Sequence, residues 1–185
     1  AQAIKQGLSV EGGLFIPETL PAVTSDEIAS FAKMDYRGRA FAILSKFLTD
    51  FTKDELENCI NSAYTKAKFE TDNIAPVYKL NDKEYILELW HGPTCAFKDM
   101  ALQILPHLLT TSMKKTGATD EVVILVATSG DTGKAALEGF RDVNGTRIIV
   151  FYPKNGVSPI QEKQMVTQKG DNTFVVGITG NFDDA

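Results

Sequence analysis

Residues 122–152, VVILVATSGDTGKAALEGFRDVNGTRIIVFY, decide the fold. Six apolar residues, Val122 to Ala127, lead into a turn at Ser129-Gly130. A helix is predicted from about Gly133 to Arg141, and a second apolar run covers Arg147 to Tyr152. Near-continuous apolar runs of strand length predict strands buried on both faces, and an intervening helix makes them parallel neighbours. A third run, Phe174 to Thr179, follows a helix predicted over Ser158 to Gln168. The expectation is an α/β fold, a parallel sheet with helices on both faces.

Upstream, the period changes. Residues 24–70 read as helical. Thr24 with Glu27, and Thr52 with Glu55, have the spacing of capping boxes, each opening an apolar stripe. Phe41, Leu44, Phe47 and Leu48 form a third stripe at helical spacing. From Pro76 to Leu80 and Glu84 to Trp90 the pattern is β-rich, with Asn81-Asp82-Lys83 as the hairpin turn. A helix is predicted from about Phe97 to Lys115, kinked or broken at Pro106. The chain therefore divides into a small helical region, 1–75, and an α/β region, 76–185.

The 185 residues carry a formal net charge of −5, with 43% hydrophobic and 23% charged residues. That balance supplies no general field for nucleic acid and is not the composition of a disordered chain. No apolar run reaches the roughly 20 residues of a bilayer span. The two cysteines, Cys59 and Cys95, are too few for a disulfide framework, so a reducing, cytoplasmic setting is expected.

Four segments offer chemistry. In ATSGDTGKAA, residues 127–136, Ser129 to Gly133 lie between a strand and a helix, where unpaired N–H groups suit a carboxylate or phosphate. Thr128 and Ala135 stand where a Walker A loop needs Gly and Ser or Thr, and the dinucleotide glycine pattern is incomplete. A glycine-rich turn capped by Asp131 or Thr132 remains open beside the anion site. In ELWHGPTCAFKDMALQ, residues 88–103, Lys98 is expected in the first turn of a helix, where the dipole disfavours a cation and favours a nucleophilic amine. Asp99 partly offsets that, and an ordinary surface lysine is the competing reading. His91 and Cys95 lack the further ligands a metal site needs and are read as structural. In FYPKNGVSPIQEKQM, residues 151–165, Lys154, Asn155, Gly156 and Ser158 serve either a turn or a polar lining. Asp183 and Asp184 read as acids at a helix start.

Five segments in order, GGLFIPETLP (12–21), LWHGPTCAFKDMALQ (89–103), ATSGDTG (127–133), FYPKNGVSPIQEKQM (151–165) and GNFDDA (180–185), resemble the threonine synthase family. These are pyridoxal-phosphate (PLP) enzymes of the tryptophan-synthase-β-like group, fold type II. The resemblance implies that Lys98 carries PLP covalently, with Phe97 beside the cofactor. It implies that the loop Thr128, Ser129, Gly130, Asp131 and Thr132 binds the substrate carboxylate. Asp131 takes the place of an Asn that elsewhere approaches the PLP 3′-hydroxyl. Lys154 and Ser158 are the positions offered for the substrate phosphate. The implied reaction is a carbon–oxygen lyase step turning O-phospho-L-homoserine and water into L-threonine and phosphate, with PLP as electron sink and Lys98 moving protons.

The family's glycine-rich loop for the PLP phosphate, and its partner for the pyridine nitrogen, lie downstream of GNFDDA. The expectation is that residues 76–185 form part of a PLP-binding domain, that the chain matches the N-terminal portion of the family, and that alone it is inactive. A monomer or homodimer is expected. The competing functions are another lyase of the group, such as a threonine dehydratase or an O-acetylserine sulfhydrylase, and a non-catalytic phosphometabolite-binding protein.

Overall fold

The computed structural model describes residues 1–185, and most of its N-terminal helices start at side-chain caps. After a short α1 (Gln2–Gln6) come α2 (Ser25–Phe31), α3 (Tyr36–Phe47) and α4 (Lys53–Ala63). The Thr24 and Thr52 hydroxyls each accept from the N–H of the glutamate three residues on at 3.2 Å, and that glutamate accepts from the threonine N–H at 2.7 Å. Both predicted capping boxes are present. They satisfy donors that a helix start otherwise leaves unpaired. Asp35 caps α3 by accepting from Gly38 N–H at 2.8 Å.

The first core lies on α4. Leu56, Cys59, Ile60 and Ala63 pack with Phe51, Tyr64, Phe69, Ile74 and Ile104. The Tyr64 hydroxyl donates to the Met100 carbonyl at 2.7 Å, tying this helical layer to the segment that carries Lys98.

Strands β1 (Val77–Lys79) and β2 (Tyr85–Leu87) form the expected antiparallel hairpin. The helix predicted over 97–115 is two helices, α5 (Asp99–Leu102) and α6 (Leu105–Lys115). The break falls at Gln103-Ile104 and not at Pro106. Pro106 sits in the first turn of α6, where its missing N–H removes no hydrogen bond.

Strands β3 (Val122–Ala127), β4 (Thr146–Pro153) and β5 (Thr173–Ile178) alternate with α7 (Asp131–Phe140) and α8 (Pro159–Val166), and a 3₁₀ turn follows at Phe182–Asp184. The sheet is parallel in the order β3-β4-β5, with Val126 opposite Val150 and Val150 opposite Val175. Ile148, Val150 and Tyr152 point to one face and form the second core with Leu137, Phe140, Met165, Leu109 and Met113.

The other face is open, which corrects the expectation of helices on both faces. Val123, Leu125, Phe174 and Val176 are exposed, Leu125 by 67%. Three strands and two crossover helices cover one side only, so apolar residues at consecutive positions do not establish that both sides are covered. No helix of the chain is long and apolar enough to cross a membrane.

Candidate active site

Lys98 is positioned by a buried carboxylate beside it. Asp99 is fully buried and accepts from the Thr94 N–H at 2.8 Å and the Thr94 hydroxyl at 2.7 Å. Burial pushes the Asp99 carboxyl above its ordinary range, and the Thr94 bonds pull it partly back. Gly92 makes the arrangement possible, because a methyl there would lie 2.5 Å from Asp99 Oδ2 and 2.6 Å from its Cβ. The sequence HGPTCAFKD is thus a turn folded around its own last residue, with Cys95 in the left-handed region at φ 59°.

Lys98 itself lies at the residue before α5, and its carbonyl accepts from the N–H groups of Ala101 and Leu102. The expectation of a cation set against a helix dipole is corrected here. Four residues sum to only a small dipole, and Lys98 stands outside the first turn. Asp99 turns inward to Thr94 rather than pairing with Lys98. The Lys98 ammonium rests 4.2 Å from the centroid of the Phe97 ring, whose face attracts a cation. His91 Nε2 lies 2.7 Å from a Glu88 carboxylate oxygen, holding the start of the same turn.

The loop between β3 and α7 is organised from inside by Thr128. This residue is buried, and its hydroxyl accepts from the N–H groups of Gly130 at 3.0 Å and Gly133 at 2.9 Å. Gly130 adopts φ 146°, a region nearly closed to other residues. The N–H groups of Ser129, Asp131 and Thr132 have no acceptor within the chain. They are donors at the positive end of a ten-residue helix. The Asp131 carboxylate accepts from the Gln161 side-chain amide at 2.8 Å.

These two parts meet at one cleft. A cavity of about 830 Å³, walled mainly by apolar side chains including Tyr36, Leu44, Leu87 and Met100, also has Lys98, Phe97 and Thr132 on its lining. Gly139, near the end of α7, packs on the Leu102 carbonyl of α5, leaving no room for a side chain.

Lys154 and Ser158 do not line the cleft. Lys154 is exposed after β4, its stem over Gly177, in a turn with Asn155 at φ 65°. The Ser158 hydroxyl caps α8 by accepting from Gln161 N–H at 3.3 Å. Asp184 accepts from Asn181 N–H at 2.8 Å, the helix-start role expected for it. Gln161 and Thr94 are the contributors that sequence reasoning missed. The signal for Gln161 was an amide three residues after a capping serine.

A lysine amine and the Thr132 corner of an anion-ready helix start, sharing an apolar cleft, fit a planar aromatic carbonyl compound with a small anion at its edge. The walls suit the ring and the amine suits the carbonyl; of the loop only Thr132 lines the cleft, and Thr128, Ser129, Gly130 and Asp131 do not. The chain is of the α/β class that places its ligand at the carboxyl edge of a parallel sheet. Over nearly all of its length it is similar to the N-terminal portion of threonine synthases. Residues 1–64 match the family described as threonine synthase N terminus. The threonine synthase of Pseudomonas aeruginosa is 44% identical over 179 residues, covering 96% of this chain and 37% of the relative. PLP-bound threonine synthase from Brucella melitensis superposes with a TM-score of 0.88 at 35% identity, over 99% of this chain and 39% of that one. The yeast threonine synthase crystal structure gives 0.84 at 37% identity, over 99% of this chain and 38% of that one. The chain thus spans under two fifths of the length of these relatives.

Proposed function

We propose that this chain supplies the lysine and the substrate-carboxylate loop of a threonine synthase, a PLP-dependent lyase that forms L-threonine and phosphate from O-phospho-L-homoserine and water. The observation that carries this reading is the shared cleft, in which Lys98 is the sole lysine and Thr132 presents the start of α7. When bound, PLP supplies an electron sink for carbanionic character next to the substrate amine.

The residues of the chain then divide the work. Lys98 Nζ holds the cofactor before substrate arrives and afterwards moves protons at Cα and Cβ of the substrate. The Phe97 ring beside Nζ limits where the amine can rest. The Ser129 and Thr132 N–H groups hold the substrate carboxylate, with Thr128 fixing the loop's shape from below. Asp131, one oxygen of which is held by Gln161, is proposed as the loop residue that approaches the cofactor hydroxyl. The apolar walls contributed by Tyr36, Leu44 and Met100 flank the half-buried amine. Lys154 and Ser158, outside the cleft, are proposed for the phosphate end of the substrate. The protein is proposed to work as a monomer or homodimer.

The chain alone is proposed to be inactive, so the test is turnover by a PLP-loaded threonine synthase that carries this chain as its N-terminal portion. Release of phosphate from O-phospho-L-homoserine with equimolar L-threonine is expected, together with its loss in Lys98→Ala. Deamination of free threonine, or sulfide addition to O-acetylserine, without reaction of O-phospho-L-homoserine would replace this reading with another lyase of the group.

A further inference from the structure

Four capping boxes occur in the chain, and three carry an acid at the third helical position: Glu27, Glu55 and Asp184. The fourth, at the start of α8, carries Gln161. A carboxylate can close a capping box as well as an amide can, so capping alone does not call for glutamine there. The difference lies in what the rest of the amide does. Gln161 Oε1 accepts from Ser158 N–H at 3.2 Å, which closes the box. Its Nε2 donates to Asp131 Oδ1 at 2.8 Å, across 30 residues of sequence. The same amide lies flat against Gly130, where any Cβ would collide with it.

We propose that Gln161 is a positioning residue for the ligand loop. Its amide holds one oxygen of Asp131 toward α8 and seats Gly130. The other Asp131 oxygen is left without a partner in the chain, and the Ser129 and Thr132 donors keep their direction. It does so without charge. A carboxylate at 161 would cap α8 but could donate nothing to Asp131, and it would place a second negative charge beside a loop meant for an anion. The inference rests on the reading of residues 128–132 as the substrate-carboxylate loop.

The experiment uses the full-length PLP-loaded protein with O-phospho-L-homoserine. Gln161→Glu keeps the capping geometry, so its thermal midpoint should stay within about 3 °C of wild type, because only a surface-facing link is altered. KM should rise at least tenfold while kcat falls less than threefold. Titrating the cofactor absorbance with L-threonine should show a matching tenfold loss of affinity. Asp131→Asn in the Gln161→Glu background reverses donor and acceptor and restores the net charge. It should bring KM back to within threefold of that of Asp131→Asn alone. Gln161→Ala, which removes the donor without adding charge, should raise KM less than Gln161→Glu.

Unchanged KM in Gln161→Glu overturns the proposal, as does a double variant no better than Gln161→Glu. Parallel losses of midpoint and kcat in every variant would reduce Gln161 to a structural cap and also overturn it. A wild-type protein that neither turns over O-phospho-L-homoserine nor changes its cofactor absorbance with it overturns the functional reading, and this proposal with it.

Discussion

Replacing Gly92 with alanine tests how Lys98 is held. The added methyl would sit 2.5 Å from Asp99 Oδ2, 2.6 Å from its Cβ and 2.9 Å from its Cγ, against an ordinary carbon contact of about 3.5 Å or more. The carboxylate must therefore move by roughly 1 Å, because it is fully buried and has no flexible end to swing aside. A shift of that size breaks one or both of the bonds it accepts from Thr94, now 2.7 and 2.8 Å long. Hydrogen bonds to a charged group contribute about 1.5–3 kcal/mol each, so the expected loss is about 3 kcal/mol. For a chain of this size that is a fall in Tm of about 6–12 °C. Thermal unfolding followed by circular dichroism measures it. Thr94→Val should cost less, since it removes only the hydroxyl bond. The double variant should lose less than the sum, because both changes act on one carboxylate. A Gly92→Ala protein melting within 2 °C of wild type would refute the account of the turn, as would strict additivity with Thr94→Val.

Two further outcomes follow from the structure. Thr128→Val leaves the buried N–H groups of Gly130 and Gly133 without their acceptor, which should cost about 2 kcal/mol and lower substrate affinity with it; equal Tm and equal KM would show that the loop does not depend on this hydroxyl. Burial, with nearby Lys68, holds His107 below the ordinary histidine value of 6.5, so the folded state binds this proton less readily than the unfolded chain. Its stabilising contribution is complete above pH 6.5 and is lost as pH falls through the depressed value. His107→Gln should therefore flatten the acid side of the stability profile measured by urea unfolding between pH 7 and 5; an unaltered slope would contradict the shift.

Much of the architecture was legible because it is local. Thr24 with Glu27 and Thr52 with Glu55 announce helix starts through bonds within three residues. The run Val122 to Ala127 matches β3 residue for residue. The Asn155-Gly156 pair marks the turn it forms. What the sequence could not reveal depends on contacts between distant segments. Apolar residues at successive strand positions read as burial on both faces, yet Val123 and Leu125 are exposed because no element of this chain covers them. The predicted helix breaks at Gln103-Ile104 rather than at Pro106, and α5 sets its Leu102 carbonyl on Gly139 of α7.

The site divides in the same way. Lys98 is legible as an unusual cation, but not through a helix dipole, of which the four-residue α5 supplies little. The anion-binding character of the loop was readable from a strand-to-helix turn rich in glycine. That Thr128 would turn its hydroxyl inward, leaving the N–H groups of Ser129, Asp131 and Thr132 open, was not. Gln161 was invisible as a partner of Asp131, since nothing in either local sequence points to the other.

The central claim, that Lys98 is the cofactor lysine, is tested most directly by incubating the protein with PLP, reducing with borohydride and mapping the labelled peptides. The account predicts label on Lys98 alone among the 15 lysines. Label scattered over several lysines, or confined to a different one, would contradict it.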